Sequence, residues 1–141
     1  MANEATSIFE TERPIPFECA NATGIEKGAT LKLTDPMTAS ATSATDDLMA
    51  GICASEKIAS NGVTKVAVYR HGIFKVTASG SVTAGNCLGV DMEGTNKFYN
   101  NTLTTNLSGS RIWGIALETA SDGETFLMEL GCQTAQQHVV A

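Results

Sequence analysis

Charged residues are scarce in this sequence, since Asp, Glu, Lys and Arg together make up 17% of its 141 residues. Fifteen acidic residues against nine basic ones leave a net charge of −6. Proteins that bind nucleic acid rely mainly on Lys and Arg to neutralise phosphates, and the basic residues here are scattered along the chain. We therefore expect no nucleic-acid partner.

Long apolar runs are also missing. No stretch of 18 or more apolar residues occurs, so the sequence predicts no membrane-spanning helix. Residues 1–7 lack the basic and apolar regions that define a signal peptide. We expect no membrane partner and a protein that is made in a cytoplasm.

Cysteine and histidine are few and widely spaced. The four cysteines lie 34, 34 and 45 residues apart, at Cys19, Cys53, Cys87 and Cys132. A zinc site needs clustered ligands at short spacing, which neither these residues nor the two histidines provide. The sequence predicts no metal site, and free, mostly buried thiols.

No set of residues with a catalytic spacing occurs either. A nucleophile needs a base within reach, and the candidate bases are His71, in a predicted turn, and His138, in a polar tail. The acidic pair Asp46-Asp47 could join a metal site, but a solvated turn is the simpler interpretation. No glycine-rich phosphate loop occurs. We expect no catalytic residues and no cofactor.

What the sequence does contain is typical of β-structure. Hydrophobic residues make up 43% of the chain, and many of the remainder are Thr, Ser, Asn and Gly, which suit pleated surfaces and turns. Strand patterns bounded by turn residues recur at residues 30–33, 48–54, 64–69, 73–78, 111–118 and 124–130. The best helical candidate, residues 37–50, is dominated in its middle by Thr and Ser, which disfavour helix interiors.

Details of these runs give local predictions. Gly51, inside an apolar run, predicts a bulge or a close backbone approach. Residues 64–69 and 73–78 are separated by three residues ending in glycine, which favours a hairpin. Residues 111–118 and 124–130 are expected to pair in the same style. Trp113 lies in an apolar run and is expected to pack in a core or subunit contact.

An internal repeat is the most informative feature. The pattern Ile-x-x-Gly-x-x-Leu-x-Leu from Ile25 recurs as Val-x-x-Gly-x-x-Leu-x-Val from Val82. Gly51-Ile52 followed by Ser-x-Gly-x-Thr-x-Val recurs, in the same order, as Gly114-Ile115 followed by Ser-x-Gly-x-Thr-x-Leu. This second match pairs Val66 with Leu127, and it places Val68 against a glutamate.

The fold that we expect is mainly β, a small β-barrel or β-sandwich-like domain. The repeat leaves open whether the domain is a single unit or consists of two similar β halves, which could close on each other as a barrel. Residues 1–13 are expected to form an extended arm, residues 14–131 a single β domain, and residues 132–141 a polar C-terminal tail.

The arm and the start of the domain are the candidate contact site. Apolar side chains there could anchor an arm that orders on a partner by adding to a sheet edge, and the candidates are Ile8, Phe9, Pro14, Ile15, Pro16 and Phe17. The alternative interpretation is a frayed terminus that contacts nothing.

Four stretches of the sequence resemble a known family. Residues 14–36, 50–57, 66–74 and 114–124 are similar to tailed-phage capsid decoration (cement) proteins, and the resemblance spans residues 14–130. The sequence departs from the family pattern in the segment 91–110 and after Gly131. The resemblance implies a virion protein, a homotrimer on the capsid exterior that binds the major capsid protein through terminal arms. It also implies that no catalysis occurs and that no cofactor is needed.

Two other functions stay open at this point. The same β module could be another virion component, such as a head-fibre base or a tail-associated protein. A small ligand-binding barrel or enzyme is the third possibility, and a deep pocket lined by His71 and a cysteine would favour it.

Overall fold

The computed structural model describes residues 3–91, 95–101 and 112–131. These residues contain no helix, and hence none that could cross a membrane. The described residues form eleven strands: β1 (Thr6–Phe9), β2 (Ile15–Glu18), β3 (Thr30–Asp35), β4 (Thr38–Ala41), β5 (Met49–Cys53), β6 (Lys65–Tyr69), β7 (Gly72–Ala78), β8 (Cys87–Asp91), β9 (Lys97–Asn100), β10 (Gly114–Ala116) and β11 (Thr125–Leu130). The predicted mainly β fold is confirmed.

Ten of these strands form two five-stranded barrels. The first barrel closes in the order β2-β4-β3-β5-β6. The second barrel has the order β7-β11-β10-β8-β9 and closes through a parallel pairing of β7 with β9. The pairings of the first barrel recur in the second strand by strand, including the parallel pairing of β2 with β4. The two similar halves suggested by the repeat are therefore present, and each half closes on itself.

Local contacts repeat as well. Outside the named strands, a bridge joins Ile25 to Lys57 in the first barrel, and a bridge joins Val82 to Ala120 in the second. Both bridges carry reciprocal backbone hydrogen bonds of 2.7–2.9 Å. Ile25 and Val82 are the residues at which the first sequence match begins, so that match reflects true structural equivalence.

The second sequence match is wrong by one residue in the last strand of each half. It paired Val66 with Leu127, whereas the strand pairings make Val66 equivalent to Phe126. Val66 and Phe126 both point into a core, while Leu127 is only half-buried. The mismatch at Val68 disappears too, because Val68 corresponds to the buried Met128. A slip of one residue exchanges the two faces of a strand, so burial decides the register.

The two barrels have separate cores that meet at one seam. The first core contains Phe17, Cys19, Ile25, Ala29, Leu31, Ala39, Ala50, Cys53, Val66 and Val68. The second core is built around Trp113, Phe74, Phe98 and Phe126, and two first-barrel side chains, Met49 and Ile52, belong to it. Tyr69, at the end of the first barrel, packs edge-on against Phe74 with ring centroids 5.4 Å apart. The barrels therefore share apolar contacts.

The predicted hairpin of residues 64–69 and 73–78 is wrong. These residues form β6 and β7, which lie in different barrels, and Arg70 and His71 connect them. Each strand instead completes its own barrel: β6 pairs with β2 and β5, and β7 pairs with β11 and β9. The second predicted hairpin is confirmed, because β10 and β11 pair antiparallel.

Gly51 confirms both predictions made for it. The β3–β5 register shifts next to it, and its φ of +146° is one that side chains with a Cβ rarely adopt. A Cβ there would collide with the carbonyl oxygen of Tyr69. In the second barrel the equivalent Gly114 meets the carbonyl oxygen of Glu129 in the same way. Each barrel thus needs a glycine where its last strand pairs closely with the strand that carries the glycine.

Candidate interaction surface

Strand β1 belongs to neither barrel and lies along the edge of β7. Thr6 is opposite Lys75 and Phe9 is opposite Ile73, with a register shift between them. The backbone N–H of Ala5 donates to a carbonyl of the first barrel, at 2.9 Å. Residues of the expected N-terminal arm are thus paired within the chain itself.

The first two predicted contact residues lie on the surface. Ile8 is 42% exposed and Phe9 is 63% exposed. Because the backbone of β1 is held on β7, these two apolar side chains are presented on an ordered strand.

The other predicted contact residues divide between surface and core. Pro16 is exposed, Ile15 is 38% exposed and Pro14 is half-buried. Phe17 is 1% exposed and packs in the core of the first barrel. Side chains alternate between the two faces of a strand, so β2 turns Phe17 inward, and its side chain is not part of the surface.

The sequence interpretation missed an exposed apolar pair in the β5–β6 loop. Ile58 is 66% exposed and Val63 is 41% exposed. The loop is held by Lys57, which is 3% exposed and whose Nζ donates to the carbonyls of Asn21 (2.8 Å) and Thr23 (2.9 Å). Two large apolar residues inside a run of turn residues were the available signal. The exposed Met37 and Leu117 lie elsewhere on the surface.

The acidic pair does not form the solvated turn that the sequence predicted. Asp46 is partly buried between the barrels, and its Oδ1 accepts bonds from the Tyr99 hydroxyl (2.6 Å) and the Asn101 amide (3.0 Å). Its backbone N–H donates to the Val90 carbonyl at 3.0 Å. The first-barrel β4–β5 loop is therefore anchored on the second barrel. Burial raises the pKa of the Tyr99 phenol, and its bond to Asp46 adds to that shift.

Its neighbour Asp47 holds the same loop. The Asp47 carboxylate accepts two loop backbone N–H groups at 2.7 and 2.9 Å. Its carbonyl accepts the indole N–H of the fully buried Trp113 at 3.1 Å, and that ring packs edge-on against Phe98. Trp113 is a core residue, as predicted.

The residues considered for chemistry do not assemble into a reactive centre within the described part of the chain. A cleft of about 240 Å³ beside His71 also contains Glu12 and Glu129, and the His71 Nδ1 lies 2.9 Å from a Glu12 carboxylate oxygen. No described cysteine lines the cleft, and no described group of three His, Cys, Asp or Glu residues could hold a metal. Cys132 and His138 lie outside the described residues.

The three described cysteines are free, as predicted. Cys19 and Cys53 lie inside the first barrel. Burial raises the pKa of both thiols, and a raised pKa disfavours the thiolate that would act as a nucleophile or metal ligand. These two cysteines are core residues.

Comparisons with known proteins bear on the fold. No protein-family model matches the chain, and no curated protein matches it. Among solved structures, the fold is similar to the head fiber gp8.5 N base of bacteriophage phi29. The TM-score is 0.52 and the sequence identity is 13%, over 82% of this chain and 91% of that one. The chain thus shares a β fold with a phage head-fibre base.

Proposed function

We propose that this chain is a structural protein of a phage particle that binds the outer surface of the head and stabilises it. The observation that carries the proposal is the pair of barrels, because a similar fold forms a phage head-fibre base over most of this chain. The resemblance of residues 14–130 to capsid decoration proteins supports the same location. In this role the chain has no catalytic activity and needs no cofactor.

The partner in this proposal is the major capsid protein, and the chain acts as a homotrimer on the capsid exterior. Ile8 and Phe9 are the contact residues that we favour, because they are exposed on an ordered strand and little backbone freedom is lost on binding. A trimer engages several such contacts at once, which multiplies affinity. Binding to the assembled shell then stabilises it by mass action.

A second candidate is the base of a head fibre, and the likeness to the phi29 protein favours it. The two functions differ in copy number. A decoration protein covers the head at a number comparable to that of the shell subunits, whereas a fibre base occupies a limited set of positions.

Cosedimentation tests the proposal. Purified chain is mixed with mature heads that lack it and with empty precursor shells, and the bound copies are counted. We expect saturable binding to the mature head. A number near that of the shell subunits supports decoration, and a number far below it supports the fibre base. If neither particle binds the chain, the head-surface function is wrong.

A matched pair of variants tests the contact residues. We expect Ile8→Ser/Phe9→Ser to weaken head binding by about a hundredfold or more, since burying these side chains contributes roughly 1.5–3 kcal/mol each. Ile58→Ser/Val63→Ser removes an exposed apolar pair from the β5–β6 loop and serves as the control. Equal losses in both variants would show that β1 is not the contact.

A further inference from the structure

The first strand of each barrel has an incompletely paired edge. In the first barrel, β2 pairs with β4 at the single position Glu18–Thr38. In the second barrel, β7 pairs with β9 at Thr77 and Ala78. The earlier part of each strand extends beyond that neighbour. In the second barrel β1 covers this part of β7, whereas no described residue pairs with the same part of β2.

Backbone hydrogen bonds tell which groups point toward this edge. The N–H of Glu18 donates to the β3–β4 turn (2.7 Å), and the N–H of Cys19 donates to the residue that precedes β6 (2.8 Å). Successive residues of a strand direct their N–H and C=O groups to opposite sides, so every second residue points to the same side. Positions 14 and 16 therefore direct their backbone groups toward the uncovered edge. Both are proline, and proline has no N–H to offer.

The equivalent positions in the second barrel carry ordinary residues. Ile15 lies opposite Val68, and Phe74 lies opposite Met128, which makes position 14 equivalent to Ile73 and position 16 to Lys75. The N–H of Ala78 points to the β11 side, so Ile73 and Lys75 point to the other side. Both residues pair with β1, Ile73 with Phe9 and Lys75 with Thr6.

We propose that the Pro14–Pro16 pair and β1 guard equivalent edges of the first and second barrels, and that each prevents a second copy of this chain from adding a strand to its barrel. In the first barrel the edge lacks donors. In the second barrel the donors are present and are used by β1. Strand β1 becomes the new edge, and with four residues and a register shift it is a poor template, because short and irregular edges resist pairing. This inference does not depend on the proposed function.

The first test restores the missing donors in the full-length chain. Pro14→Thr/Pro16→Thr places two N–H groups on the β2 edge, and we expect an average mass that rises with concentration toward roughly twice the wild-type mass, measured by sedimentation velocity. Pro36→Thr replaces the third proline, which lies in a turn, and is the matched control. Circular dichroism checks that both variants are folded. A folded double variant that keeps the wild-type mass would overturn the guard role of the prolines.

The second test detaches β1 from β7 and then removes backbone N–H donors from the edge of β7 that this exposes. We expect Thr6→Pro/Phe9→Pro to self-associate, because β1 loses the donors that face β7. Adding Ile73→Pro and Lys75→Pro copies the first-barrel arrangement into β7 and should return the mass to the wild-type value. Association that persists with both prolines present would overturn the backbone-edge explanation for β1, as would a wild-type mass for the released variant. If the released variant does not fold, the proline replacements in β2 decide the proposal.

Discussion

At the scale of one residue, Asp46 shows that an acidic residue in a predicted surface turn can form a contact between the two barrels. Its loop reads as a polar turn, yet its carboxylate accepts bonds from Tyr99 and Asn101 across the seam between the barrels. A partly buried carboxylate is stable when its acceptors are used. The sequence could not indicate this contact, because the donors lie more than fifty residues away and are brought there only by the fold.

We expect Tyr99→Phe to lower the free energy of unfolding by about 1.5–3 kcal/mol at neutral pH, the usual net contribution of a hydrogen bond to a charged group. The pH dependence should change as well. The folded state raises the pKa of the Tyr99 phenol above its ordinary value of 10.0, so the protonated phenol contributes stability below about pH 10. That contribution is lost as the pH rises further.

Denaturant unfolding from pH 7 to pH 11 measures both effects. Wild type should lose stability above about pH 10 more steeply than Tyr99→Phe does, since the variant has no phenol there to ionise. Tyr69→Phe is the control and should keep the steep alkaline fall. An identical alkaline fall in Tyr99→Phe and wild type would contradict the assigned role of this hydroxyl.

At the scale of the strand, each barrel depends on one glycine at which its last strand approaches the neighbouring strand closely. Gly51 and Gly114 occupy equivalent places, and at both a Cβ would collide with a carbonyl oxygen of the last strand of the barrel. The sequence pointed to Gly51 because a glycine inside an apolar run has few other reasons to be there. The repeat then pointed to Gly114.

We expect Gly114→Ala to destabilise the protein by about 3 kcal/mol or more, because the clash involves backbone that cannot move without breaking the strand pairing. Gly62→Ala is the matched control. Gly62 has φ +86° and open space around its Cβ position, so only backbone strain of about 1–2 kcal/mol applies there. Chemical denaturation of both variants checks the difference. Equal losses of unfolding free energy would mean that the close strand approach at Gly114 tolerates a side chain.

The limits of sequence prediction are also clearest for strands. Apolar residues alternate along the strands predicted at residues 73–78 and 124–130, because burial on one face imposes a period of two. The hairpin between β6 and β7 was wrong, since a short glycine-containing connection can reverse the chain or lead into a separate sheet. Among the contact candidates, Phe17 followed the same alternation into the core, while Ile8 and Phe9 stay exposed.

The whole molecule is two barrels joined by shared side chains. Met49 and Ile52 belong to the second core although their strand is in the first barrel, and the loop at Asp46 is bonded across the seam. The repeat in the sequence predicted similar halves, but it carried no information on this seam. It matches Ile52, which belongs to the second core, with Ile115, which is only half-buried.

We expect the barrels to unfold as one cooperative unit. Fluorescence of Trp113 reports unfolding of the second barrel. Labelling of Cys53, which is buried in the first barrel, reports unfolding of the first barrel. The two denaturation curves should therefore coincide. Met49→Ala removes a shared side chain, costs about 2–5 kcal/mol and should separate the curves. Val66→Ala, inside the first core, is the control and should separate them less. Curves that already differ in wild type would show that the barrels are independent.

The connection between the barrels has a mechanical consequence. Strand β6 ends at Tyr69 and β7 begins at Gly72, so three Cα–Cα steps join the two strands and span at most about 11 Å even when fully extended. With Tyr69 packed on Phe74 across this joint, the chain has no slack with which one barrel could swing away from the other. We therefore expect the molecule to behave as a stiff spacer, in which a sideways load applied to one end is transmitted to the other end rather than absorbed between them.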